Sequence, residues 1–306
     1  MNEKQEINKP ISPKEVLEEI AEAIPKDCKK HLIVIGSLAV GYHFFGNNKN
    51  MSVRTKDADC LLSPKIKAIP TGISITEKLI NSGWKFSDSG EWRKPGDPNT
   101  PLDELPAVRL YPPRGKNWFI ELLTIPDNDD KYGKKWERLH TCFGDFGLPS
   151  FGYLGLTDYN PILTDFGIYV ARPEMMALAN MLEHPKIKSD TMSGLLQGRT
   201  IKRSNKDLGR VLAIAYLSTG KDVDSLEKWQ KLWKSAIRIR FPKNWQELTQ
   251  KVGMGIRELL NSDPDFEEAY HTCIYGLLAS NPPNRNQLKI AGKRLLQDTI
   301  EPFEHI

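Results

Sequence analysis

The chain has 306 residues, 27% charged and 39% hydrophobic, with a formal net charge of +4. No apolar run approaches the ~20 residues of a membrane span, and four scattered cysteines without a CxxC pair exclude a disulfide or zinc framework. The opening MNEKQEINKPISPKEVLEEI mixes both charges and lacks a signal-peptide core, so the expectation is a cytoplasmic protein of two domains.

Ser12-Pro13-Lys14-Glu15 has the form of a capping box with proline at the first helical position. Val16, Leu17, Ile20, Ala21 and Ile24 follow at helical spacing, closed by Pro25. Next come a strand over 31–36, a helix over 37–45, a loop at Gly46-Asn47-Asn48, a strand over 57–62 and a helix near 74–82. Trp84-Lys85-Phe86 starts a further strand, and Ser87 to Pro106 reads as a long loop. Ala107–Tyr111 and Asn117–Thr124 flank the turn Pro112-Pro113-Arg114-Gly115-Lys116 as a hairpin. Residues 126–165 read as irregular, with short strands allowed.

From Arg172 the pattern becomes helix after helix. Pro173 opens one over Met175–Leu182, and Ser204 or Asn205 caps another with a Leu208, Val211, Leu212, Ala215 stripe ending at Gly220. Leu226, Trp229, Leu232, Trp233, Ala236 and Ile237 mark a third, Asp263-Pro264 starts a fourth, and the last runs from about Asn286 to Thr299. The tryptophan stripe reads as core, because helical spacing alone accounts for it. The fold class is therefore mixed α/β (α+β): an N-terminal mixed sheet with helices over 1–170 and a helical domain over 171–306.

Three features carry chemistry. Gly36-Ser37 ends an apolar strand and opens a helix, where a glycine lets a phosphate approach and the serine amide and hydroxyl bind its oxygens; read alone, the pair is better explained as a tight turn with a capping serine. Asp57-Ala58-Asp59 opens the next strand, so both carboxylates share one face and repel unless a cation neutralises them. Glu121 lies inside the apolar run Trp118-Phe119-Ile120-Glu121-Leu122-Leu123, where a charge is costly unless paired or metal-bound. If the strand of Glu121 lies beside the aspartates, three carboxylates converge next to the glycine turn, and oxygen ligands of this kind suit Mg²⁺.

Together these pieces resemble the nucleotidyltransferase superfamily: an apolar strand, Gly-Ser, a helix, Asp-x-Asp, then a third acidic residue on a later strand. The match runs from Ile33 to Glu121. Arg54-Thr55-Lys56-Asp57-Ala58-Asp59 is most similar to the AbiEii-type toxin branch, and Asn205-Lys206-Asp207-Leu208 resembles that branch's Lys-Asp helix start. Two departures are visible. The gap from Ser37 to Asp57 is long, as if Gly46–Met51 were inserted, and Ala177 and Ala179 occupy a helix that often carries a lysine in that branch.

The resemblance implies transfer of NMP from an NTP, ATP included, to an acceptor hydroxyl, with pyrophosphate released. Asp57, Asp59 and Glu121 are then catalytic and hold Mg²⁺ or Mn²⁺, Gly36 and Ser37 bind phosphates, and Arg54, Lys206 and Asp207 assist the nucleotide. The acceptor is RNA, a tRNA end included, or a protein, and an antitoxin is the implied partner. Between Lys186 and Arg257 there are 16 Lys and Arg against 6 Asp and Glu, an excess that suits RNA or is simply a solvated surface. Two alternatives stay open: a small-molecule, antibiotic-type nucleotidyltransferase with Asp103 and Glu104 near the acceptor, and a non-catalytic nucleotide- or partner-binding protein on the same fold.

Overall fold

The computed structural model describes residues 10–306 apart from 47, 49–50, 87–93, 116, 127–134 and 193–198, and apart from the side chain of Lys186. Asn47, the first part of the loop from Ser87, and Lys116 of the predicted hairpin turn lie outside the described residues. The chain forms two compact units. One, the sheet unit, comprises Ile11–Ala39 and Thr55–Arg172; the other, the helical unit, takes in Val40–Arg54 and Pro173–Ile306. Residues 40–54 thus belong with the helices, and the division is not a single cut in the chain.

Elements of the first half are β1 (Pro10–Ile11), α1 (Pro13–Ala23), β2 (Leu32–Val34), α2 (Gly36–Phe45), β3 (Val53–Arg54), β4 (Asp57–Leu62), α3 (Lys65–Asn81), β5 (Arg109–Leu110), β6 (Phe119–Thr124), β7 (Lys135–Thr141), β8 (Gly144–Ser150), α4 (Leu154–Thr157), β9 (Ile162–Leu163) and β10 (Tyr169–Val170). Ser12 caps α1 by accepting from the Glu15 amide at 3.4 Å, and Val16, Leu17, Ile20 and Ala21 form its buried stripe.

The sheet unit is built on a six-stranded mixed sheet in the order β5-β6-β4-β2-β10-β9. β4 runs parallel to β6 and antiparallel to β2, and β5 runs antiparallel to β6. The predicted hairpin is therefore present, with Arg109 and Leu110 in register with Glu121 and Ile120 and the Leu122 amide donating to the Val108 carbonyl at 3.3 Å. Of the predicted strand start at Trp84-Lys85-Phe86, Lys85 bridges Tyr111, and the continuation from Ser87 lies outside the described residues.

α3 begins nine residues upstream of the predicted start, with Pro70 inside it. Proline there removes one amide from the helical ladder without ending the helix, and burial of Ala68, Gly72, Ile75 and Leu79 holds the whole length on the sheet. A Cβ on Gly72 would stand 3.3 Å from the Leu62 side chain. Leu62 shares a sheet face with Ala58 and Cys60, so α3 covers that face. Asp57 and Asp59 point to the other.

Residues 135–150 depart most from the sequence reading. They form a hairpin, β7 with β8, in full register from Lys135↔Ser150 to Thr141↔Gly144. Gly144 holds φ +117°, a conformation that favours glycine. Arg138 and His140 of β7 hold the buried Asp145 of β8 at 2.6 and 2.9 Å. Burial alone would raise the Asp145 pKa, but those two bonds outweigh it and lower it.

The helical unit contains α5 (Pro173–Ile187), α6 (Arg203–Lys221), α7 (Ser225–Arg240), α8 (Trp245–Lys251), α9 (Met254–Asn261), α10 (Asp263–Ile274), α11 (Arg285–Arg294), a π-helical stretch (Leu295–Ile300) and α12 (Glu301–Glu304). α6 is central, with α5, α10 and α11 packed against it. The stripe Leu208, Val211, Leu212 and Ala215 is buried, as are Trp229 and Trp233. The Trp233 indole N–H donates to the Glu174 carbonyl at 2.9 Å, so the tryptophan stripe is core.

The predicted cap of α6 is wrong. Lys202 is the N-cap, and its amide donates to Glu268 Oε2 of α10 at 3.0 Å. Ser204 and Asn205 lie inside the helix and are buried. The Asn205 amide instead donates to Asp265 and Glu268, both at 2.9 Å. A carboxylate from a neighbouring helix does the capping that sequence alone assigns to the local polar side chain.

Candidate active site

The site is assembled by register. β4 and β6 pair in parallel with Asp57 opposite Phe119 and Asp59 opposite Glu121. Directly opposed residues on neighbouring strands share a face, so Asp57, Asp59 and Glu121 all project from the face opposite α3. All three are half-buried. The burial of Ala58, Cys60, Leu61 and Leu62 fixes the phase of β4, and Ile120, Leu122 and Leu123 fix that of β6.

On the other side of β4 lies the glycine turn. The Ile35 amide donates to the Asp59 carbonyl at 2.9 Å, which brings the end of β2 alongside Asp59. Gly36 then takes φ +74°, a left-handed conformation that costs other residues steric strain. A Cβ on Gly36 would stand 3.2 Å from Asp59 Oδ2. The missing side chain therefore lets the Asp59 carboxylate pack closely against the turn. Ser37 is half-buried in the first turn of α2.

Two residues the sequence reading did not single out complete the geometry. The buried Thr55 hydroxyl donates to Asp57 Oδ1. Arg109 of β5 stands opposite Glu121 and its Nε donates to Glu121 Oε2 at 2.8 Å. The same guanidinium lies 5.4 Å from the Phe119 ring centroid. Register alone reveals Arg109, because one arginine in a two-residue strand has no sequence pattern. Cys60, on the opposite face, is inert: burial pushes its thiol well up, and the Asp59 charge adds to that.

The expected convergence of three carboxylates is met by the backbone and not by the side chains. Among the described residues no three His, Cys, Asp or Glu side chains come together as a metal-holding group, and the Glu121 carboxylate is engaged by Arg109. The donor set still fits a hard divalent ion. Mg²⁺ is commonly held by one or two carboxylates together with waters and substrate phosphates, with no need for an all-protein cage. Asp57 and Asp59 are two such carboxylates on one strand face, with Asp59 close against the Gly36 turn.

Arg54, Lys206 and Asp207 belong to the helical unit. The Arg54 amide donates to the Gly276 carbonyl at 3.2 Å, and Arg54 Nε is buried without a hydrogen-bond partner among the described residues. Asp207 lies 3.9 Å from Arg210 one turn on, and Lys206 is half-buried on α6. Lys202 is committed internally, its Nζ 2.6 Å from Asp265 Oδ1. Burial opposes ionisation of Asp265, but bonds from Lys202, Ser262 and Asn205 prevail and bring its pKa to about 2. Asp103 and Glu104 are exposed and do not build an acidic pocket.

No helix among the described residues is long and apolar enough to cross a membrane. No protein-family model matches the chain, and neither a curated protein nor a solved structure matches it.

Proposed function

We propose that the chain is a metal-dependent nucleotidyltransferase of the AbiEii-like type, moving NMP from an NTP to an acceptor hydroxyl. The observation that carries this reading is the row Gly36, Asp59, Glu121 across three neighbouring segments, with Asp57 two residues along on the same face. Like charges share one face beside a glycine turn that has no side chain, and that combination suits a polyphosphate and a divalent ion better than it suits packing. Asp57 and Asp59 would hold the Mg²⁺ or Mn²⁺, which supplies charge neutralisation for the attacking and leaving oxygens. Thr55 holds the Asp57 carboxylate in place. The Gly36-Ser37 turn offers backbone amides and a hydroxyl to phosphate oxygens. Glu121 joins the site when its bond to Arg109 opens.

RNA is the favoured acceptor, because the helical unit carries the basic excess between Lys186 and Arg257. Lys202 counts toward that excess, but its charge is matched by Asp265. Arg203 is exposed and Lys206 half-buried, and these two are the candidates. The test is incubation of the full chain with each α-labelled NTP and Mg²⁺ or Mn²⁺ against total RNA, then mapping of the labelled species. Label on defined RNA ends supports the reading. Label on protein alone moves the acceptor to protein, and no transfer with any NTP refutes the activity.

A further inference from the structure

The sheet sets Glu121 between two neighbours of opposite sign on one face. On one side, opposite it in parallel register, stands Asp59; on the other, opposite it in antiparallel register, stands Arg109. Adjacent strands lie about 4.8 Å apart, so both are within side-chain reach of the glutamate. Repulsion from Asp59 and attraction to Arg109 act on the Glu121 carboxylate in the same direction. The observed bond, Arg109 Nε to Glu121 Oε2 at 2.8 Å, is the outcome. Glu121 is 14% exposed and Arg109 32%, so the pair is sheltered and its attraction is only partly screened. A divalent ion held by the aspartates reverses the balance, because Asp59 then presents a cation to Glu121.

From this geometry we infer that Arg109 is an exchange partner for Glu121. It holds the carboxylate in the metal-free protein and releases it when a divalent ion and polyphosphate arrive, its freed guanidinium then pairing with phosphate oxygens. The cation–π contact with Phe119 supports this role. Phe119 is itself braced by Tyr111 at 5.4 Å between ring centroids, so the guanidinium rests on an aromatic surface on the carboxylate face. A planar guanidinium suits carboxylate and phosphate oxygens equally well. The inference rests on the nucleotidyltransferase reading and adds a residue and a ligand, the polyphosphate, to it.

The test is calorimetric titration of the full chain, first with Mn²⁺ alone and then, in saturating Mn²⁺, with inorganic tripolyphosphate. Arg109→Gln should bind Mn²⁺ alone about tenfold more tightly than wild type, the equivalent of ~1.4 kcal/mol for a lost competitor. That gain should vanish in the Arg109→Gln, Glu121→Gln double variant. Tripolyphosphate should bind Arg109→Gln at least about tenfold more weakly. Arg109→Lys retains the charge without the planar fork and should fall between wild type and Arg109→Gln, which keeps the test open should Arg109→Gln fold poorly. Unchanged Mn²⁺ affinity in a folded Arg109 variant, with binding still lost in Asp59→Asn, overturns the exchange role and leaves the nucleotidyltransferase reading standing. Absence of Mn²⁺ binding in wild type and every variant overturns both.

Discussion

The carboxylate face of the sheet unit and the α6–α10 contact of the helical unit are both clusters of charged side chains, and they differ in how the charges balance. At α6–α10, Lys202 meets Asp265, Asn205 bridges Asp265 and Glu268, and Ser262 donates to Asp265. There an amide and a hydroxyl support the central ion pair, and the cluster joins two helices. On the sheet, Asp57, Asp59 and Glu121 share a face, and Arg109 stands opposite only Glu121. The helix contact sets two carboxylates against one ammonium, with an amide and a hydroxyl as further donors. On the sheet three carboxylates share a face with one arginine in register, an arrangement that a divalent ion and an anionic ligand would complete under the proposed function.

The contrast breaks most sharply at the aspartates. Asp57→Asn and Asp59→Asn should each lower NMP transfer by about a thousandfold, since a metal-held charge supplies several kcal/mol to a phosphoryl transition state. Thermal unfolding of the same variants should stay level or move upward, because a like charge has been removed. Parallel loss of folding and activity would place the aspartates with the structural cluster instead.

Gly36→Ala comes next. The left-handed backbone costs an alanine about 1–3 kcal/mol, and its Cβ meets the Asp59 carboxylate. Chemical denaturation should show that loss, with weaker Mn²⁺ binding in the fraction still folded.

Asp265→Asn tests the other cluster. The Asp265 pKa is depressed to about 2, below the ordinary carboxylate value of 3.8. Its stabilisation is therefore complete above about pH 4 and is lost as pH falls through about 2. The partly exposed pair is screened, so the substitution should cost about 1–2 kcal/mol at neutral pH and flatten the acid limb of the stability curve, with transfer unchanged.

The smallest effect belongs to Lys206. Lys206→Ser should alter stability by less than about 0.5 kcal/mol and reduce the salt slope of RNA binding by about one. An unchanged slope would return the basic excess to ordinary solvated surface.

Much of this was legible in the sequence. The limits of β4 follow from an acidic pair turning into Cys60-Leu61-Leu62, and Glu121 stands out because apolar residues surround it on both faces. What was hidden depends on partners far along the chain. Arg109 acquires meaning only through its register with Glu121. The α6 cap is supplied by Glu268, so Ser204 and Asn205 became available for burial. The β7–β8 hairpin escaped because Pro149 and the polar run Glu137, Arg138, His140 blur its alternation. Its stability comes from Arg138 and His140 gathering on Asp145, a tertiary cluster with no local signature.

The central claim, that the carboxylate face moves a nucleoside monophosphate, is tested most directly by paired reactions with α-labelled and γ-labelled NTP. Both use the full chain with Mg²⁺ and total RNA, for wild type and for Asp59→Asn of equal thermal stability. The account predicts label on the acceptor from the α-labelled NTP only, with γ-label recovered in pyrophosphate, and loss of both signals in Asp59→Asn. Acceptor label from the γ-phosphate, or α-label transfer that persists in Asp59→Asn, would contradict it.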